Sequence, residues 1–316
     1  MKTKIFIDGS EGTTGLRIYE RFSVRDDVEL IPIAPEKRKD AKERKRLINQ
    51  ADIAFLCLPD EAARESVSLV ENENVRVIDT STAHRTQEGW AYGFPELSVR
   101  HREKIRTGKR VAVPGCHATG FISLVYPLVS SGILPADYPL SAFSLTGYSG
   151  GGKKMIAEYE EKERSGELDA PREYALSQQH KHLKEMKEIT GLSRQPLFSP
   201  IVADYYSGMV VSVPFYNEFL KEKNTPGKLQ EFFAGFYEGQ RFINVMPAGA
   251  EEVLHGKMLA GNGCTGFDGL KIYITGNEER TVLSAQFDNL GKGASGAAIQ
   301  CLNVMLGCEE DRGLNL

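Results

Sequence analysis

The chain has 316 residues, about two common domains, and its 41% apolar and 9% aromatic content is too high for a disordered chain. With 39 basic and 43 acidic side chains the net charge is −4, which excludes a polyelectrolyte built for nucleic acid. Five cysteines without a C-x-x-C pair give neither a disulfide framework nor a zinc finger. Apolar runs fall short of the ~20 residues of a bilayer span, and Met1-Lys-Thr-Lys-Ile-Phe-Ile-Asp8 reads as a strand rather than a signal peptide. A cytoplasmic protein without a membrane partner is expected.

Residues 4–8 form an apolar run entering a glycine-rich turn, and 13–22 have helical spacing through Leu16, Ile18, Tyr19 and Phe22. Further strands are expected at 28–34, 53–58, 75–79 and 110–113, with short helices between them. That alternation implies parallel pairing and a Rossmann-type, doubly wound α/β sheet. The charge-dense run Glu36–Arg46, with seven basic and three acidic residues, reads mostly as a solvated helix face. Beyond Cys116 the texture changes. Strands at 141–148 and 209–214, and an antiparallel pair 270–275 and 281–287 around Gly276-Asn277, suit an α+β domain. A helix over 294–306 closes the chain. The expected division is a dinucleotide-binding domain at 1–115, completed by 290–316, and a catalytic and oligomerisation domain at 116–289.

Gly9-Ser-Glu-Gly12-Thr-Thr-Gly15 lies between strand and helix, where glycines let the backbone approach a pyrophosphate at a helix N-terminus. At the end of the second strand, Glu36 suits the ribose hydroxyls of NAD, whereas Lys37 and Arg38 suit the 2′-phosphate of NADP; the pair of cations favours NADP(H). Val113-Pro-Gly-Cys116-His-Ala-Thr-Gly120 sets a cysteine at the start of an apolar helix, where partial positive charge stabilises a thiolate. Cys57, Cys264, Cys301 and Cys308 lack that setting and read as inert. In His180-Lys-His182 an extended chain puts both rings on one face; no third ligand is suitably spaced for a metal, so an acid–base partner for Cys116 is the better reading. Gly147-Tyr-Ser-Gly-Gly-Gly152-Lys153-Lys154 approaches a P-loop, but Lys154 replaces the magnesium-binding hydroxyl. A glycine-rich nest with a lysine still suits phosphate.

Together these motifs resemble the shorter N-acetyl-gamma-glutamyl-phosphate reductases. The matching blocks are Asp8-Gly9…Gly12-Thr-Thr-Gly-Leu16, Asp79-Thr-Ser81, Tyr92-Gly-Phe-Pro-Glu-Leu97, Pro114-Gly-Cys116, Gly147–Lys153, His180-Lys-His182 and Asn289-Leu-Gly-Lys-Gly-Ala-Ser-Gly296. His117 stands where many members have tyrosine. The resemblance implies NADPH-dependent reduction of an acyl phosphate through a Cys116 thioester, with His180 or His182 as acid–base residue. It implies cofactor contacts at Gly9, Ser10, Gly12, Thr13, Thr14, Gly15, Lys37, Arg38, Ser81 and Gly150. Substrate or phosphate contacts are implied at Arg85, Ser149, Gly151 and Lys153. It also implies a C-terminal helix returning to the first domain, and a homodimer or homotetramer. The alternatives are another acyl-phosphate reductase, such as aspartate-semialdehyde dehydrogenase or a carrier-linked glutamyl-phosphate reductase, and a nucleotide-sensing regulator, which has no need of Cys116.

Overall fold

Alternation along Thr3–Asp8 (β1) sends Ile5 and Ile7 to one side of a sheet and Phe6 to the other, and all three are buried. The computed structural model describes residues 2–221 and 224–316. Val28–Ile31 (β2), Ile53–Leu56 (β3), Arg76–Asp79 (β4), Ala91–Tyr92 (β5) and Arg110–Ala112 (β6) join β1 in a wholly parallel sheet of order β2-β1-β3-β4-β6-β5. The chain leaves β1 toward one edge for β2 and returns on the other side for β3. This opens a crevice at the carboxyl end of β1.

Helices cover both faces. Ile5, Ile7, Phe55 and Ile78 pack on Ile18 and Phe22 of Thr13–Ser23 (α1) and on Ala298, Cys301 and Leu302 of the C-terminal helix Gly296–Leu306. On the other face Phe6, Ala54 and Leu56 meet Leu47 and Ile48 of Ala41–Gln50 (α2). Asp60–Ser68 (α3) and Val99–Thr107 (α4) complete the layer structure. Asp40 caps α2 by accepting from the N–H groups of Lys42 and Glu43, and Ser98 caps α4 by accepting from that of His101.

The polypeptide divides into two compact units, Met1–Gly115 with Ala294–Leu314, and Cys116–Gly293 with Asn315–Leu316. In the second unit Cys116–Ser130 (α5) is buried nearly all round, as a helix without a polar face must be. Its sheet contains Ser141–Gly147 (β7), Arg172–Glu173 (β8), Leu197–Ala203 (β9), Met209–Tyr216 (β10), Ile243–Val245 (β11), Leu270–Gly276 (β12) and Arg280–Phe287 (β13). The order β11-β12-β13-β10-β7-β9-β8 mixes parallel and antiparallel pairs. Gly120 lets α5 close onto this sheet: a Cβ there would lie 2.5 Å from a Val211 methyl. Gly152–Glu160 (α6), Leu183–Thr190 (α7) and Pro226–Phe236 (α8) are the remaining α-helices among the described residues.

Several expectations shift. The strand expected at 28–34 stops at Ile31, because Pro32 has no N–H for the ladder. The C-terminal helix starts after a π-helical turn over Gly291–Ser295. The solvated face expected for Glu36–Arg46 holds an exception in Arg44. It is buried, with Nε 3.1 Å from Asp8, Nη1 2.8 Å from Glu65 and Nη2 on the Ser66 hydroxyl. β5, β8, β9 and β11 lie outside the expected strands, and all but β9 are only two or three residues long.

Candidate active site

The loop after β1 is shaped by close approach. Gly9 has φ +85°, and a Cβ on it would lie 2.3 Å from the Cys57 carbonyl oxygen; one on Gly15 would lie 2.3 Å from the Gly9 oxygen. Gly12 is less constrained, its nearest neighbour being 3.4 Å away, and it caps α1 with extended backbone and no side-chain acceptor. The first-turn N–H groups, including those of Thr13 and Thr14, have no carbonyl partners within the helix, so this end suits an anion.

Beside the loop lies a cleft of about 230 Å³, lined by Ser10, Leu16, Tyr19, Ile31, Ile33 and the Glu11–Arg38 pair. Leu16 and Tyr19 are 45% and 44% exposed, an apolar surface fit for a flat base. Arg38 Nη1 is 2.6 Å from Glu11 Oε1. Lys37 and Glu36 sit in a 3-10 turn, Pro35–Lys37, and are exposed. The carboxylate lining the cleft is therefore Glu11, and sequence reading had assigned that place to Glu36.

At the end of β4, Ser81 donates its hydroxyl to Asp79 Oδ2 at 2.7 Å while its N–H bonds Oδ1 at 2.9 Å. His84 Nδ1 lies 2.6 Å from the same carboxylate, and its ring stacks on Trp90. Arg85 is buried and donates to the carbonyls of Val113 and Thr80, tying the ends of β6 and β4 together. In this structure those bonds give Ser81 and Arg85 a local structural use.

In the second unit Cys116 begins α5 and is partly exposed among buried neighbours. Gly293 passes directly over it, where a Cβ would come within 3.0 Å of the Cys116 Cβ. The next residue, His117, is buried, with Nδ1 2.6 Å from Ser144 Oγ and Nε2 2.7 Å from the Tyr174 hydroxyl. Burial, then the nearby charges of His180 and Lys181, hold His117 down at about 3. Tyr174 is pushed up by burial first and then by the charge of Cys116.

The rings of His180 and His182 stand 5.4 and 5.5 Å from that of His117 and 4.7 Å from each other. They meet through a turn closed by the Leu183 N–H on the His180 carbonyl, with His182 in helical conformation, and not through the extended chain expected. His182 is buried at the start of α7, whereas His180 is partly exposed. Along Gly147–Gly152 the N–H groups of Gly147, Tyr148, Ser149 and Gly152 bond backbone carbonyls, which narrows the nest. The Ser149 hydroxyl accepts from Asn289 Nδ2 at 3.1 Å, and Lys153 is exposed in the first turn of α6. The burial-raised thiols of Cys57, pushed up to about 12, and Cys264 suit inert residues. Among the described residues no three His, Cys, Asp or Glu side chains gather as a metal site, and no helix is long and apolar enough to cross a membrane.

Comparison with known proteins agrees with both units. Residues 10–107 match the semialdehyde dehydrogenase NAD binding domain, and residues 116–289 match the semialdehyde dehydrogenase dimerisation domain. N-acetyl-gamma-glutamyl-phosphate reductase 2 of Nostoc sp. is 46% identical over 320 residues, covering 99% of both chains. The N-acetyl-gamma-glutamyl-phosphate reductase of Brucella ovis is 45% identical over 97% of this chain and 100% of its own. The chain belongs to the N-acetyl-gamma-glutamyl-phosphate reductase family. Among solved structures, aspartate semialdehyde dehydrogenase II of Vibrio cholerae superposes with TM-score 0.73 at 15% identity, covering 97% of this chain and 99% of that one. The Candida albicans aspartate semialdehyde dehydrogenase, solved with NADP, gives 0.63 at 14% identity with the same coverage. These distant likenesses speak for the fold.

The structure adds Tyr174, Ser144 and Glu11 to the residues that the sequence offered for the site. Asn289 stood in a matching block without a role. Tyr174 sits in an irregular stretch with no periodicity to mark it, and Ser144 is one of several polar residues along β7.

Proposed function

We propose that the protein reduces N-acetyl-gamma-glutamyl phosphate to the semialdehyde and phosphate, with NADPH as reductant and Cys116 as nucleophile. The observation that carries this reading is a partly exposed cysteine at the start of a buried helix, beside a cluster of three histidines. The fit of the first unit to a nucleotide rests on Gly12 and the α1 N-terminus for the pyrophosphate, and on the Leu16–Tyr19 surface for the base. Arg38, with Lys37 nearby, is the cationic partner for a 2′-phosphate. When bound, the nicotinamide nucleotide supplies a hydride.

The chain's own residues carry the rest. The partial positive charge at the start of α5 favours the Cys116 thiolate, which bonds to the acyl carbon. Neutral His180 donates its Nε2–H as a hydrogen bond to the departing phosphate oxygen, which takes its proton from solvent, leaving a thioester on Cys116. After reduction, the tetrahedral oxyanion re-forms its carbonyl, the C–S bond breaks and the thiolate returns. One proton is consumed overall. His180 is preferred to His182 because its Nδ1 accepts the His182 N–H at 3.1 Å, which leaves Nε2 to carry the proton, and because its ring is the more exposed.

The open face of the second sheet fits a homodimer. Strand register places Phe143, Leu197 and Tyr216, which are 49%, 65% and 54% exposed, on one side. A cytoplasmic location follows from the same reading. The test is NADPH oxidation with N-acetyl-gamma-glutamyl phosphate, against aspartyl phosphate as control. Cys116→Ala should lower turnover by on the order of 10⁶ while retaining nucleotide binding. Residual turnover within about tenfold of the parent removes Cys116 as nucleophile.

A further inference from the structure

Glu11 places a carboxylate on a loop whose backbone is shaped to approach a polyphosphate. Its side chain is 61% exposed and pairs with Arg38, itself 34% exposed, at the cleft beside that loop. A negative charge there opposes an anionic ligand. The buried Arg38 Nε finds no acceptor among the described residues, so Glu11 satisfies only part of the guanidinium. Glu36, the acid that the end of the second strand offers, lies exposed in the 3-10 turn outside the cleft lining.

We propose that Glu11 is a specificity-determining residue that sets the choice between the phosphorylated and unphosphorylated nucleotide. It stands on Arg38 where a 2′-phosphate would bind, and it accepts from the ribose hydroxyls when that phosphate is absent. This rests on reading the cleft as the adenosine end of the nucleotide site. A 2′-phosphate displaces the Glu11 carboxylate from Arg38 and gains a bidentate partner, at the expense of an existing ion pair. An unphosphorylated ribose leaves the pair intact and donates to Glu11. The same two residues therefore serve both nucleotides, and the balance between them depends on the glutamate.

The experiment is calorimetric titration of the full chain with 2′,5′-ADP and with 5′-AMP, independent of turnover. Glu11→Gln keeps size and removes charge. It should tighten 2′,5′-ADP about fivefold and weaken 5′-AMP about threefold. Arg38→Ala should weaken 2′,5′-ADP by about tenfold or more and leave 5′-AMP within about twofold. In the double variant the gain from Glu11→Gln should vanish, since no guanidinium is left to release. Glu11→Asp, which retains the charge, should keep the parent preference, and ligand-free melting checks that each variant is folded. A ratio of the two affinities unchanged within about twofold in Glu11→Gln overturns the proposal while leaving the cleft assignment intact. If the parent binds neither probe, the cleft assignment and the proposal fall together.

Discussion

The backbone N–H of His182 donates to Nδ1 of His180 at 3.1 Å. A neutral His180 therefore keeps its proton on Nε2, and the bond turns that nitrogen away from the peptide that orients it. His182 does the orienting from the start of α7, where its own ring is buried.

This division of labour predicts unequal losses. His180→Ala should lower the maximal reductase rate by roughly 10²–10³, the range for losing one hydrogen-bond donor to a developing oxyanion. His182→Ala keeps the backbone N–H and should cost less in rate but lower the melting temperature, since a buried ring is lost. Rates and melting curves of the two variants, measured together, check the order. A larger rate loss for His182→Ala reverses the assignment.

His117 links the site to acid stability. Its ring is held neutral in the fold, down at about 3 against an ordinary 6.5, by burial first and then by the charges of His180 and Lys181. A depressed folded value means that the unfolded chain binds the proton more readily between those two pH values. The stabilisation is thus complete above pH 6.5 and is lost as pH falls toward 3, by about 1.4 kcal/mol per unit once well below 6.5. His117→Gln offers an amide to Ser144 and Tyr174 without a titrating group. Urea denaturation at pH 7.5 and pH 5 should show a smaller loss for the variant than for the parent; equal losses would assign the acid sensitivity elsewhere.

Much of the fold was legible because its causes are local. The alternation of Ile5, Phe6 and Ile7 announces a strand covered on both faces, and Pro114-Gly115 ahead of an apolar run announces the start of α5. The glycines at 9 and 15 were legible as a turn, though only the structure shows that Cys57 and Gly9 oxygens are what exclude a side chain. Long-range polar pairing was not legible. Glu11 finds Arg38, and Arg44 finds Asp8, across separate elements, and nothing in a run of charges says which one turns inward. The two histidine rings do come together, on a backbone other than the expected one, because a turn joins two rings as well as an extended segment does.

The nucleotide loop separates two effects of adding one methyl group. Gly9→Ala forces a Cβ to 2.3 Å from the Cys57 oxygen at φ +85°, so a loss of about 2 kcal/mol or more is expected. Gly12→Ala meets its nearest atom at 3.4 Å and has extended backbone, so its stability should stay near that of the parent. It nevertheless crowds the approach to the α1 N-terminus, and nucleotide affinity should fall. Denaturation and 2′,5′-ADP titration of both variants check the contrast. A stable Gly12→Ala protein with parent affinity would move the pyrophosphate away from this loop.

Phosphate chemistry gives the last expectation. If phosphate leaves in the forward reaction, oxidation of the semialdehyde must consume it to resolve the Cys116 thioester. Turnover of NADP⁺ with N-acetylglutamate semialdehyde should then depend on phosphate, and arsenate should substitute because any tetrahedral oxyanion nucleophile serves. The backbone N–H groups of Gly147, Tyr148 and Ser149 are engaged by carbonyls, and the cation of Lys153, exposed beside Lys154 in the first turn of α6, offers an attraction for the anion in this segment. Lys153→Ala should therefore raise the KM for phosphate about tenfold and that for the aldehyde by much less, since only the phosphate presents a dianion to it. The measurement is steady-state NADP⁺ reduction with phosphate, with arsenate and with neither, for parent and variant. Fast repeated turnover with neither anion would mean that water resolves the thioester, and the enzyme would be a hydrolytic aldehyde dehydrogenase rather than an acyl-phosphate reductase.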